Sequence, residues 1–262
     1  MTHANTALIT GASSGIGAVY ADRLARRGHD LILVARDAAR LDALAARLRA
    51  ETGRKVEVLV ADLTAPQDLR RVEARLRQDA SIAMLVNNAG MSVSGTLAEA
   101  DPDRLEAMVA LNITAPMRLA AAMAPAFVAR GGGTIINIAS VLALVPEQFN
   151  GVYSGTKAFV LNLTRSMQVE LGPKGLRIQA VLPGATRTSI WERAGVDPDS
   201  LPAEMLMGVE EMVDAALAGL DAGEAVTIPS LPEMADWRAF EAARFALGPN
   251  LSRNHAAARY QS

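Results

Sequence analysis

Ala7-L-I-T-G-A-S-S-G-I-G-Ala18 carries a short apolar strand straight into glycines at 11, 15 and 17, where the helical pattern Ile16–Arg27 begins. Glycine-rich turns between strand and helix let the backbone approach a phosphate closely. They also set the anion at a helix N-terminus, where free N–H groups and the helix dipole favour negative charge. The spacing is G-x-x-x-G-x-G. It is neither the G-x-G-x-x-G of the common dinucleotide turn nor a triphosphate loop ending in G-K-[ST]. Glycines also serve plain tight turns. The strand before and the helix after are what give this turn its weight.

Outward from the turn, apolar runs alternate with helical patterns. Strands are expected at 7–10, 31–35, 56–61, 82–86, 134–139, 178–182 and 225–228. Helices are expected at 16–27, 38–51, 66–78, 101–110, 114–130, 152–171 and 209–220. Alternation of short apolar runs and helices predicts a parallel sheet covered on both faces, a single-domain, doubly wound α/β fold of the Rossmann type with right-handed crossovers. Local end signals agree. Asp101-Pro102 offers an N-cap followed by proline at the first helical position, and Gly28 suits the end of the first helix.

Composition narrows the chemistry. The 262 residues carry a formal net charge of −2 and no cysteine. Near-neutral charge gives no broad electrostatic reason to bind nucleic acid or an anionic membrane. Without cysteine there are no disulfides, thiolate catalysis or Cys-based zinc sites. His3, His29 and His255 are too scattered in sequence to favour a zinc site or a Ser-His hydrolase. No secretory leader or uninterrupted apolar span is read, so a cytoplasmic location is the expectation.

Tyr153 and Lys157 stand four positions apart in Y-S-G-T-K, thirteen residues after Ser140. On a helix that spacing stacks phenol and ammonium on one face. A free tyrosine titrates near pH 10, and bringing it to neutrality asks for about 4 kcal/mol. A desolvated cation beside it, next to a positively charged cofactor, is a plausible source. Taken alone, the pair also reads as an exposed i,i+4 contact, Ser140 as a strand-end cap and Asn112 as a polar kink before Pro116.

Together these pieces are similar to the classical short-chain dehydrogenase/reductase family over residues 5 to about 230. The matching segments are Thr10-G-A-S-S-G-I-Gly17, Asp62-Leu63, Asn87-N-A-Gly90, Asn112 in L-N-I-T, Ser140 closing I-I-N-I-A-S, the Tyr153/Lys157 pair, and Pro183-G-A-T-R-Thr188. Thr186 stands where valine is usual and Gly155 where alanine is frequent. The resemblance implies strand order 3-2-1-4-5-6-7 and an NAD(P)-dependent oxidoreductase that interconverts a carbonyl and an alcohol. Tyr153 is then the general acid/base, Lys157 lowers its pKa and binds the nicotinamide ribose, Ser140 holds the substrate oxygen, and Asn112 holds a water in a proton relay. Cofactor contacts are implied for Gly11, Ser13, Ser14, Gly15, Ile16 and Gly17 in the turn. Asp62 and Leu63 take the adenine and Asn88, Ala89 and Gly90 the ribose side. Pro183, Gly184, Thr186 and Thr188 border the nicotinamide carboxamide. Asn87 braces the turn. No metal is implied.

The end of the second strand bears on cofactor choice. An acid there accepts from the ribose 2′-hydroxyl of NAD. Here the position is Ala35, followed by Arg36, whose guanidinium suits a 2′-phosphate, so NADP(H) is expected, with NAD(H) as the alternative. Asp37 should point away.

Residues 188–208 lose clean periodicity and mix turn residues with Trp191, Leu201, Met205, Leu206 and Met207. They read equally as a Met-rich substrate flap or as methionines packed in the core, with a weak lean to an apolar substrate. The tail after Pro229 spaces Trp237, Phe240 and Phe245 as an amphipathic helix. Phe127, Val128, Phe159, Val160, Leu163 and Met167 extend beyond one helical face, and the resemblance implies a homodimer or homotetramer through these helices. Two other functions are weighed. One is a non-catalytic NADP(H)-binding sensor or scaffold. The other is a sugar-nucleotide epimerase or dehydratase built on the same Tyr/Lys pair, disfavoured by the short substrate segment.

Overall fold

The computed structural model describes residues 5–148, 151–188 and 202–260. Its seven strands are β1 (Thr6–Thr10), β2 (Asp30–Ala35), β3 (Val56–Val60), β4 (Ile82–Asn87), β5 (Gly133–Ile138), β6 (Leu176–Val181) and β7 (Val226–Thr227). They form one sheet in the order β3-β2-β1-β4-β5-β6-β7. Every neighbouring pair is parallel. Parallel neighbours need crossovers, which the intervening helices supply. These are α1 (Gly15–Arg26), α2 (Ala38–Thr52), α3 (Pro66–Gln78), α4 (Pro102–Val109), α5 (Ala115–Ala129), α6 (Gly151–Leu171) and α7 (Val209–Asp221).

Strand alternation builds two cores, one on each face of the sheet. Ala7 and Ile9 of β1 join Leu31 and Leu33 of β2 in one cluster, with Tyr20 and Leu24 of α1 and Val213 and Leu217 of α7. Leu8, Ile32 and Val34 face the other way, onto Leu76, Leu119, Met123 and Phe127. The near-continuous apolar runs of the sequence follow from this two-sided burial.

One boundary differs from the expectation. The two helices predicted at 101–110 and 114–130 are a single helical path, α4 and α5 joined by a π-helical turn, Ala110–Thr114. The cause is local. Pro116 has no N–H to offer the carbonyl of Asn112 four residues earlier, so the path widens and Ala115 N bonds back to Ala110 O. By length and hydropathy the run Pro102–Ala129 could cross a bilayer. In this fold Leu119, Met123 and Phe127 are core residues. Asp101 accepts from Asp103 N as the predicted cap, and Gly28 follows the cap residue of α1 at φ 92°.

Residues Met1–Pro229 and Ser230–Ser262 form separate contact units. In the second, helix α8 (Met234–Ala246) forms as predicted, with Trp237 stacked on Phe240 at 5.4 Å. No residue on α8 is buried.

Candidate active site

A parallel sheet delivers its loops to one edge, beyond the strand carboxyl ends. Here that edge collects Gly11–Gly17 after β1, Arg36 after β2, Asp62 after β3, Asn88–Gly90 after β4, Ser140 after β5 and Pro183 after β6.

The glycine turn is held by Thr10 and Asn88. Thr10 Oγ1 donates to Val86 O and accepts from the main-chain N–H groups of Asn88 and Ala89, both at 3.0 Å. Asn88 Nδ2 donates to Thr10 O at 2.8 Å and to Gly11 O at 3.3 Å. The turn is too tight for side chains. A Cβ on Gly17 would lie 2.4 Å from Gly11 O, and one on Gly11, at φ +67°, would lie 2.8 Å from Asn88 Nδ2. This close-packed backbone, opening onto the N-terminus of α1 after Ser14, fits a dinucleotide pyrophosphate. Thr188 lies against Gly15, 3.3 Å from where a Cβ would stand.

At the β2 and β3 ends, Arg36 Nη1 is 3.7 Å from Asp62 Oδ2. The carboxylate is oriented by Thr64, whose N–H and hydroxyl both donate to Asp62 Oδ1. Despite the burial that works against it, these bonds and the Arg36 charge hold Asp62 below the usual carboxylate range. Asp37 points elsewhere, as expected. It caps α2 by accepting from Arg40 N at 3.0 Å.

Around β5, Ser140, Tyr153 and Lys157 converge. Ser140 Oγ accepts from Leu142 N at 3.1 Å, so it does act as a cap, and it lies beside the Tyr153 phenol, whose pKa it pulls down. Lys157 Nζ donates to Ile138 O at 3.0 Å and stands 5.7 Å from the Tyr153 ring centroid. Burial pushes the phenol up to about 12, with the Ser140 bond pulling the other way. Burial pulls the Lys157 ammonium down to about 8. Desolvation dominates the phenol, and the Lys157 ammonium is aimed at a main-chain oxygen.

Asn112 sits in the π turn and is buried. Its Oδ1 accepts from Met91 N and its Nδ2 donates to Met91 O, each at 2.9 Å. A second Nδ2 bond reaches Thr156 Oγ1 at 3.1 Å. The side chain is thus committed to protein partners, and the group without an i+4 donor is its main-chain carbonyl. Asn87 braces strands rather than the turn, donating to Asn137 Oδ1 at 2.9 Å and Pro116 O at 3.3 Å. Asn137 in turn donates to Thr164 Oγ1 at 2.9 Å. Thr10, Met91, Asn137, Thr156 and Thr164 carry no role in the sequence reading. A polar residue inside the apolar run I-I-N-I was a signal for Asn137, but its partner lies 27 residues away.

Beyond β6, Pro183 O accepts from Val141 N at 3.0 Å and Thr186 Oγ1 donates to Gly184 O at 3.1 Å. Thr186 forms a parallel bridge with Met207. Met207 packs against the core while Met205 is exposed. Trp191 and Leu201 lie outside the described residues. Of the six residues expected at a subunit contact, Val128, Phe159 and Leu163 are half-buried and the other three are not available to a partner. Phe127, Val160 and Met167 are buried in the chain's own core, because α5 and α6 cover the sheet with them.

A short-chain dehydrogenase from Sphingobium yanoikuyae, solved in complex with NADPH, is 56% identical, with a TM-score of 0.95 over 98% of this chain and 99% of that one. The bulky-bulky ketone specific alcohol dehydrogenase of Comamonas testosteroni is 50% identical, with a TM-score of 0.92 over 100% of both. Gluconate 5-dehydrogenase of Gluconobacter oxydans is 35% identical over 80% of this chain and 85% of its own length. The short chain dehydrogenase family profile matches residues 5–198, and the chain belongs to that family of oxidoreductases acting on CH–OH and C=O groups.

Proposed function

We propose that the protein is an NADP(H)-dependent reductase of ketones, run in reverse as an alcohol dehydrogenase, with Tyr153 as general acid/base. The observation that carries the reading is the convergence of Ser140, Tyr153 and buried Lys157 at the sheet edge that also bears the glycine turn. Gly11–Gly17, with Ser13, Ser14, Gly15 and Ile16, hold the pyrophosphate on the N-terminus of α1. Asp62 and Leu63 take the adenine, Arg36 the 2′-phosphate, and Asn88, Ala89 and Gly90 the ribose side. Pro183, Gly184, Thr186 and Thr188 border the carboxamide. When bound, the cofactor supplies the hydride and a positive charge once oxidised.

Ser140 and Tyr153 hydrogen-bond the carbonyl oxygen and orient it. Tyr153 then releases its proton to that oxygen as negative charge develops there. Lys157 contacts the ribose hydroxyls, and its charge favours phenolate in the step that leaves Tyr153 deprotonated. The Asn112 carbonyl, without an i+4 partner, holds the water through which the proton is replaced.

A ketone with two large substituents is the substrate class favoured. The support is the 50% identity, over the full length, to an enzyme specific for such ketones. The test is NADPH oxidation with cyclohexyl phenyl ketone, propiophenone, acetone and a ketose. Turnover should be highest with cyclohexyl phenyl ketone and should vanish in Tyr153→Phe. NADPH binding without turnover on any substrate would leave the sensor or scaffold reading instead.

A further inference from the structure

We propose that Thr156 is a positioning residue for proton transfer, tying the helix that carries Tyr153 and Lys157 to Asn112 and the loop after β4. The inference rests on the oxidoreductase reading above. Thr156 lies between the two catalytic side chains on α6 and is 1% exposed. A buried hydroxyl needs partners. Its O–H donates to Tyr153 O at 2.7 Å, and its oxygen accepts from Asn112 Nδ2 at 3.1 Å.

The Asn112 amide has no freedom to flip. Met91 offers it both an N–H and a carbonyl, which fix Oδ1 and Nδ2 respectively, and the remaining Nδ2 hydrogen points to Thr156. Thr156 thereby joins three elements: the catalytic helix, the π turn, and the segment Gly90–Met91. That segment borders the same spot. A Cβ on Gly90 would lie 3.3 Å from Asn112 Oδ1 and 3.5 Å from Lys157 Nζ.

Cutting this tie removes a hydrogen bond between α6 and the π turn whose Asn112 carbonyl holds the relay water in the reading above. Valine matches the shape of threonine but offers no donor or acceptor, whereas serine keeps the hydroxyl. The bond to Tyr153 O adds to the first turn of α6, so its loss alone loosens the backbone that aims the phenol.

The experiment compares wild type, Thr156→Val, Thr156→Ser and Tyr153→Phe, using cyclohexyl phenyl ketone and NADPH. A second readout is the phenolate absorbance of Tyr153 in the NADP+ complex, titrated with pH as the difference from Tyr153→Phe. Thr156→Val should lose roughly tenfold to a hundredfold in kcat, the scale on which sub-ångström misplacement acts. Its KM for NADPH should stay near wild type and its phenol should titrate at higher pH. Thr156→Ser should restore both.

Wild-type kcat and an unmoved phenol titration in Thr156→Val would overturn the proposal. So would a parallel fall in kcat, NADPH affinity and melting temperature with the titration unmoved, which marks a role in folding alone. Thr156→Ala carries the same comparison if the valine variant does not fold. Turnover surviving in Tyr153→Phe would remove Tyr153 as the acid/base, and no turnover in the wild type would refute the oxidoreductase reading itself; both outcomes are separate from either result at Thr156.

Discussion

The Lys157 ammonium donates to the main-chain oxygen of Ile138 at 3.0 Å, so the buried cation is held by the end of β5. One neutral carbonyl does not replace the water it has lost, and burial lowers the group from 10.5 to about 8. Below about pH 8 the lysine is charged whether folded or unfolded, and burying the charge costs stability. Between about 8 and 10.5 the folded protein has shed the proton while the unfolded chain keeps it, so stability rises with pH. Lys157→Met should therefore be more stable than wild type near pH 7 by about 1–3 kcal/mol, an advantage that fades by about pH 10. Urea unfolding at both pH values measures this. A methionine variant less stable at pH 7 would contradict it.

Arg36 faces Asp62 across 3.7 Å at the adenosine end of the edge. Arg36→Asp should weaken NADPH binding at least tenfold, or about 1.4 kcal/mol, with little loss of NADH. Fluorescence titration with both cofactors gives the ratio. Equal losses for the two would remove Arg36 from 2′-phosphate recognition.

Tyr20 of α1 is fully buried in the core, and its hydroxyl has no hydrogen-bond partner among the described residues. Burial raises its pKa well above the ordinary tyrosine value. Removing an unsatisfied hydroxyl relieves its desolvation, so Tyr20→Phe should gain about 0.5–2 kcal/mol, or a few degrees in Tm. Calorimetry checks it, and a lower Tm would show that the hydroxyl has a partner.

Glu73 of α3 is 3% exposed and binds Arg77 on its own helix and Arg118 of α5. Burial opposes its charge, but the two arginines hold the carboxyl below its usual range. A depressed acid contributes stability above its unfolded pKa and loses it as pH falls through the lower folded value. Glu73→Gln should cost about 1–3 kcal/mol at neutral pH and little at acid pH, where the wild-type carboxyl is protonated too. Unfolding midpoints at both pH values test this.

Val109, Met117 and Val169, on α4, α5 and α6, remain 37%, 39% and 78% exposed. We expect a homodimer or homotetramer that covers them. Light scattering at micromolar concentration should give a multiple of 27.6 kDa. Met117→Glu with Val169→Glu should reduce it, and a monomeric wild type would remove the expectation.

What the chain alone determined was local. Apolar runs of strand length alternating with helical periods dictated a parallel sheet, and the observed strand order is the one the family resemblance implied. The turn at Gly11, Gly15 and Gly17 and the Tyr153/Lys157 spacing were equally legible, since both depend on residues within one turn or one helix. Pro116 even carried the cause of the π turn, although the periodicity suggested two helices.

Tertiary structure decided everything that depends on register across the sheet and on burial. The contacts of Thr156 with Asn112, 44 residues away, and of Asn137 with Thr164 arise only when separate elements dock. The Tyr153 and Lys157 pKa values follow from desolvation, which no sequence spacing expresses, because removal of water is a property of the packed site.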